Sequence, residues 1–286
     1  MNQPVFLDSK LVPPFQARLS AFNTAFLHGE CLLEAVPVYQ GKPLFLDDHL
    51  ARLKKGCRFL GWSLPGRGRF QKAIQLFTSH PGSPAHFIIR FGLVQELDPP
   101  ASPRTFSRKP PRLLAMIRPM RHDPEDSFPP SGRAGISPIP VPGPLAAPGQ
   151  FKWIFYMMVR RDFRLHPEWD EMLRLNEKGF VVDGGSSAPL WAVGGKVYAP
   201  SLREGGLESV TRMKILKLCR SLRIPVVEKN WKPSDVLKKG ELFFAGSGVG
   251  ILTISHLMGK RLQHSTPLAL RLWQQYRKFA LGKGQS

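Results

Sequence analysis

The stretch GQFKWIFYMMVRRDF, Gly149 to Phe163, sets one lysine at the head of a run of aromatic and aliphatic residues. Lys152 has two readings. Its stem can lie along apolar neighbours while the ammonium reaches water. Alternatively, a dry pocket lowers its pKa and makes the amine a nucleophile toward carbonyl carbon. Three polar elements downstream bear on the choice. VVDGGSSAPLW places Asp183, Gly184, Gly185, Ser186 and Ser187 between two apolar runs, a composition that alone reads as a turn. EGGLESVTRMKIL leads glycines into a helix whose first turn holds Ser209, Val210 and Thr211. The backbone N–H groups and dipole of such a helix end attract anions, phosphate above all. FFAGSGVGIL runs a strand into Gly246, Ser247 and Gly248, a second candidate anion nest.

The elements that must position these residues follow from periodicity and turn chemistry. PVFLD and LLEAVPVYQGKPLFL are strand-like, the second broken at Gln40-Gly41 by a hairpin turn. DDHLARLKKGCRFLGW is a helix with Leu50, Leu53, Cys57 and Leu60 at helical spacing and Asp47 or Asp48 as N-cap. AHFIIRFGLVQ and RLLAMIRPM are further strands. From Arg121 to Gln150 proline, glycine and serine dominate, as in a domain connection, with AGISPIPV a candidate edge strand, where proline is tolerated. WIFYMMVRRDF and ESVTRMKILKLCRSL then read as helices, the latter with Ile215, Leu218 or Cys219, and Leu222 on one face. EMLRLN, GFVVD, APLWAV, KVYAP and ELFFAGSGVGILTI read as strands. The fold class is α/β in the mixed α+β sense. It has a smaller N-terminal α/β domain over 1–120, a connection at 121–131 and a larger C-terminal domain over 132–286.

Composition narrows the function classes. The 286 residues are 42% hydrophobic and 10% aromatic, enough for sizeable cores. No segment has the uninterrupted apolar length of a membrane span. The opening MNQPVFLDSKLVPPF lacks a basic and apolar leader, so a cytoplasmic protein is expected. Cys31, Cys57 and Cys219 are odd in number and far apart, which argues against a disulfide framework or a zinc site, and no metal is expected. Lys and Arg total 41 against 21 Asp and Glu, a net charge of +20 that attracts anionic ligands. These cations are spread along the chain with no finger, block or aromatic RNA-binding pattern, so a generally basic surface is expected rather than a nucleic-acid partner.

The order of the elements resembles the fold-type IV pyridoxal-phosphate enzymes, also called class IV aminotransferases. The common elements are a lysine at a helix head, an acidic-Gly-Ser turn about 30 residues on, a G-x-x-x-V-T-R helix start and a strand ending in Gly-Ser. That group includes branched-chain and D-amino-acid aminotransferases and aminodeoxychorismate lyase. FLHGECLLEAVPVYQGKPLFLDDHLARL is similar to the group's hairpin followed by HLxRL, and the resemblance covers Phe22 to about Ile254. It implies two domains with pyridoxal 5′-phosphate at their interface. Lys152 would form the aldimine with the cofactor and shuttle a proton. Arg52 would bind the phosphate, for which a bidentate guanidinium is well shaped. The amides of Val210 and Thr211 and the hydroxyls of Thr211 and Ser247 would complete the phosphate cup, and Asp183 would face the pyridine nitrogen. Glu34 is a candidate for orienting groups near the site or for strand pairing alone, and Arg90 for holding a substrate carboxylate. His49 is expected to be structural, as a cap or hinge. The resemblance also implies a homodimer.

The chain departs from the group's pattern in several places. Asp183 stands where glutamate is usual, one methylene shorter. Gly185 replaces a serine, Ala188 an asparagine, and Met157 the tyrosine often found five residues after the lysine. The leading expectation is a transaminase that moves an amino group between an amino acid and a 2-oxo acid. Aminodeoxychorismate lyase, which eliminates pyruvate through the same aldimine, is the alternative. Lyases of the group often have threonine after the glutamate of the hairpin, whereas this chain has Ala35. A third reading is a degenerate member that binds anions or nucleic acid through its charge.

Overall fold

A computed structural model describes residues 3–99, 101–120, 122, 126–141, 152–262 and 267–282, with backbone alone at 152–156 and 280. The chain divides into two compact units. The first runs to Met120 and takes in the opening of the helix that begins at Lys152; the second is formed by the remainder.

The first unit is built on β1 (Val5–Leu7), β2 (Lys10–Val12), α1 (Thr24–Leu27), β3 (Leu32–Tyr39), β4 (Lys42–Pro43), α2 (Leu46–Phe59), α3 (Arg67–Thr78), β5 (His86–Val94) and β6 (Arg112–Pro119). Its six strands form one antiparallel sheet in the order β2-β1-β6-β5-β3-β4. The hairpin at Gln40-Gly41 is present: both residues have positive φ, 47° and 78°, which matches the twist of the strands they join. Alternate residues of β5, Phe87, Ile89, Phe91 and Leu93, enter the core, where α2 supplies Leu50, Leu53 and Cys57 and α3 supplies Phe70, Ile74 and Phe77. Each such side chain contributes about 1.5–3 kcal/mol by leaving water. An aspartate does not cap α2. Phe45, in the left-handed region at φ 56°, is the N-cap, and Asp47 and Asp48 lie in the first turn, where their charge favours the helix dipole. The sequence gives little notice of α3, because Gly66 at its N-cap offers no side chain.

The second unit contains β7 (Ser131–Ile136), α4 (Lys152–Leu165), β8 (Glu171–Leu175), β9 (Val181–Gly184), β10 (Ala188–Val193), β11 (Lys196–Ala199), α5 (Val210–Ser221), β12 (Val226–Glu228), α6 (Pro233–Lys238), β13 (Glu241–Gly246), β14 (Gly250–Leu257), β15 (Lys260–Arg261) and α7 (Pro267–Ala280). The sheet runs β12-β11-β10-β13-β14-β7-β8-β9, with β15 paired to β14. The strand expected at an edge is interior: β7 lies between β14 and β8, parallel to both. Its residues are Ser-Gly-Arg-Ala-Gly-Ile, and the prolines at 138 and 140 fall after it, so no ladder donor is missing. Leu173, Val181, Trp191, Leu242, Phe244, Leu252 and Ile254 form the core with Trp231 and Val236. α5 buries Ile215, Leu218 and Cys219, and Leu222 is its C-cap. No helix among the described residues is long and apolar enough to cross a membrane.

Candidate active site

The three polar elements of the C-terminal half converge in the second unit. Asp183 sits near the end of β9, and its carboxylate accepts two backbone N–H groups. Gly184 N donates to Oδ1 at 2.9 Å and Leu207 N donates to Oδ2 at 3.2 Å. The second bond ties the acidic turn to the segment that leads into α5. Ser209 caps that helix, its hydroxyl accepting from Arg212 N at 3.2 Å. Val210 and Thr211 thus occupy the first two helical positions, where backbone N–H groups have no acceptor within the helix. Thr211 Oγ1 lies 3.5 Å from Ser247 Oγ, in the tight connection between β13 and β14. Two hydroxyls and a helix N-terminus therefore meet at one place, a donor set suited to a phosphate.

Close backbone approach explains two of the glycines. A Cβ on Gly184 would overlap the carbonyl oxygen of Ser187, and one on Gly246 would lie 2.8 Å from the Ser187 Cβ and closer still to its Oγ. The Asp-Gly-Gly-Ser-Ser run is a packed seam, with Gly184, Gly185 and Ser187 buried, rather than a loose surface turn.

Sequence reasoning missed Glu171, the residue that anchors this seam. Its carboxyl is 1% exposed; Oε1 accepts from Met172 N and Ser186 N at 3.0 Å, and Oε2 accepts from the Ser186 hydroxyl at 2.7 Å. Burial pushes its pKa up, and the hydrogen bonds from Ser186, Met172 and Ser187 counter it only in part. A second acidic anchor, Glu204, accepts from Asn176 Nδ2 at 2.9 Å and from Asn230 Nδ2 at 3.0 Å. A glutamate at the start of a strand has no sequence signature that separates it from a solvated one.

In the first unit, Glu34, His49 and Arg52 form a buried cluster. Arg52 Nε donates to Glu34 Oε1 and a terminal guanidinium nitrogen to Oε2, both at 2.6 Å, while His49 Nδ1 lies 2.8 Å from Oε2. All three are at most 6% exposed. Burial alone would raise the Glu34 pKa, but the Arg52 charge and the His49 and Arg52 hydrogen bonds outweigh it and hold the carboxyl well below the usual range. Glu34 therefore both takes its place in β3, opposite Phe91, and fixes the guanidinium of α2. His49, expected as a cap or hinge, is neither the N-cap nor outside the helix; it lies within α2 and bonds to Glu34. Arg90 is exposed, on the face of β5 away from the core, opposite Ala35. Lys152 is the first residue of α4, and its side chain lies outside the described residues, as does that of Tyr156.

Residues 31–257 match the family model described as amino-transferase class IV. A putative branched-chain-amino-acid aminotransferase of Methanocaldococcus jannaschii is 24% identical over 90% of this chain and 88% of its own length. An aminodeoxychorismate lyase of Bacillus subtilis is 22% identical over 88% of this chain and 86% of its own. Among solved structures, the branched-chain amino acid aminotransferase of Thermobaculum terrenum in its PLP form superposes with a TM-score of 0.81 at 18% identity, covering 99% of this chain and 96% of that one. The fold is thus that of the fold-type IV enzymes.

Proposed function

The chain belongs to the class IV aminotransferase family, and from that premise we propose that it is a pyridoxal-phosphate-dependent transaminase moving an amino group between an amino acid and a 2-oxo acid. The observation that carries this reading is the junction of three elements in the second unit, through the Asp183–Leu207 bond and the Thr211–Ser247 approach. When bound, pyridoxal phosphate supplies an aldehyde that condenses with amines and a ring that accepts electron density from the adjacent carbon.

The chain's own residues then have distinct tasks. The Val210 and Thr211 amides, with the Thr211 and Ser247 hydroxyls, bind the phosphate; none of these groups carries a formal charge, so their own attraction for it comes from the helix dipole and hydrogen bonding. Arg52 is the further phosphate ligand in this reading, its guanidinium held rigid by Glu34. Asp183 would face the ring nitrogen. The Lys152 amine would hold the cofactor, and its Nζ would take up and return the proton that leaves the substrate's amine-bearing carbon. Arg90, exposed on its strand, is the candidate for a substrate carboxylate. The functional unit in this reading is a homodimer.

The test is an absorption spectrum of the purified protein with added pyridoxal phosphate, wild type beside Lys152→Ala, followed by borohydride reduction and peptide mapping. A visible band in wild type alone, trapped on Lys152, is the expected result. Absence of cofactor uptake by wild type overturns the reading and turns attention to salt-dependent retention on nucleic acid. Amino-donor assays beside an aminodeoxychorismate assay then separate transaminase from lyase; turnover of aminodeoxychorismate without amino transfer establishes the lyase.

A further inference from the structure

Arg174 is an unexpected residue beside the proposed ring-nitrogen contact. It is the register partner of Asp183 across β8 and β9, and directly opposed residues of an antiparallel pair project on the same face with Cβ atoms about 4.5–5.5 Å apart. Only 5% of Arg174 is exposed. A guanidinium keeps its proton in proteins, so a buried one calls for compensating negative charge. Burial lowers its pKa, while the charges of Asp183 and then Asp162 counter the shift. Asp162, on α4, is itself 1% exposed; it accepts from the Ser137 hydroxyl at 2.6 Å and from Arg161 at 3.1 Å. The acidic residue that faces the ring in this reading is therefore one member of an Asp162–Arg174–Asp183 arrangement.

We infer that Arg174 neutralises Asp183, so that the ring nitrogen of a bound cofactor is less protonated here than a lone carboxylate would make it. The inference rests on the transaminase reading of the site. A carboxylate promotes protonation of the ring nitrogen because its negative charge favours the cation that forms. Arg174 places a positive charge beside that cation and weakens the effect. The Gly184 and Leu207 amides act in the same direction, because each donates to an Asp183 oxygen and stabilises the carboxylate without the ring. Arg174 acts on the cofactor through Asp183, which makes it a positioning residue that sets the electron demand of the ring.

Two readouts test this. In the apoprotein, Arg174→Gln, Asp183→Asn and the double variant form a cycle of urea unfolding. The expected coupling is about tenfold in the unfolding constant, with the double variant recovering part of the single losses; additive losses overturn the pairing. In protein loaded with pyridoxal phosphate labelled with nitrogen-15 in the ring, the nitrogen resonance of Arg174→Gln should move toward the protonated position relative to wild type, and Arg174→Lys should stay near wild type. If Arg174→Gln does not fold, Arg174→Met removes the charge while keeping an unbranched chain in the buried site, and its resonance should likewise move toward the protonated position. Cofactor uptake with no shift in any variant overturns the inference and leaves the transaminase reading intact. No uptake by wild type overturns that reading and the inference together.

Discussion

Glu34 in the first unit and Glu171 in the second are both fully buried glutamates, and their surroundings move them in opposite directions. Glu34 faces a guanidinium and an imidazole and is held as a carboxylate. Among the described residues, Glu171 faces only amide and hydroxyl donors, and burial prevails. Depth is the same in both places; the charge of the donors decides the sign. The first arrangement locks one side chain of α2 to β3, whereas the second threads a turn of small residues under one acid without introducing a cation.

The largest effect expected from breaking this contrast is Glu34→Gln. Removing one partner of a buried ion pair leaves Arg52 uncompensated and should cost about 3–5 kcal/mol by urea unfolding. Next comes Gly246→Ala, which forces a methyl group against Ser187 and should cost about 1–3 kcal/mol. Glu171→Gln keeps shape and some hydrogen bonds, so its cost at low pH should be about 1 kcal/mol. Its clearer signature is in the pH dependence. The folded-state pKa of Glu171 is raised, so its contribution is present below the unfolded value of about 4.3 and is lost as pH rises through the folded value. Stability of Glu171→Gln should thus improve relative to wild type as pH climbs from about 4. Glu34 has the reverse sign: its contribution is present above the unfolded value and is lost on acidification toward the depressed folded value. The smallest effect belongs to the exposed pair of Arg67 and Asp47, where Arg67→Ala should change stability by less than about 0.5 kcal/mol. A loss there comparable to that of Glu34→Gln would show that burial is not what separates the two kinds of pair.

Much of the fold was legible because its signals are local. α2 and α5 follow from apolar spacing, the Gln40-Gly41 hairpin from turn chemistry, and β8, β9, β10, β11, β13 and β14 from short apolar runs between turns. α3 and α7 lack such punctuation: α3 has glycine at its cap, and the start of α7 is held by Glu241, 27 and 28 residues away in sequence from Leu268 and Ala269. The placement of β7 is a long-range fact that its own six residues do not encode.

The site divides in the same way. The order of motifs singles out Asp183, Thr211 and Ser247, and the structure gathers the elements that carry them in the second unit. Glu171 and Arg174 were not, because their meaning depends on which strand lies opposite and in which register. The expected aspartate cap of α2 failed for a related reason: Asp47 and Asp48 suit a helix start, but the chain turns two to three residues earlier, at Phe45.

The interior position of β7 also bears on how this protein is made. Thr253 bonds to the carbonyl of Pro130 across 123 residues of chain, and β14 is the strand that covers one side of β7. On a ribosome that delivers about 5–20 residues per second, β7 emerges well before that partner exists, and β8 can cover only its other side. One row of N–H and C=O groups must therefore wait for most of the second unit to be synthesised, a slow non-local closure during which an unpaired edge stays open to other chains.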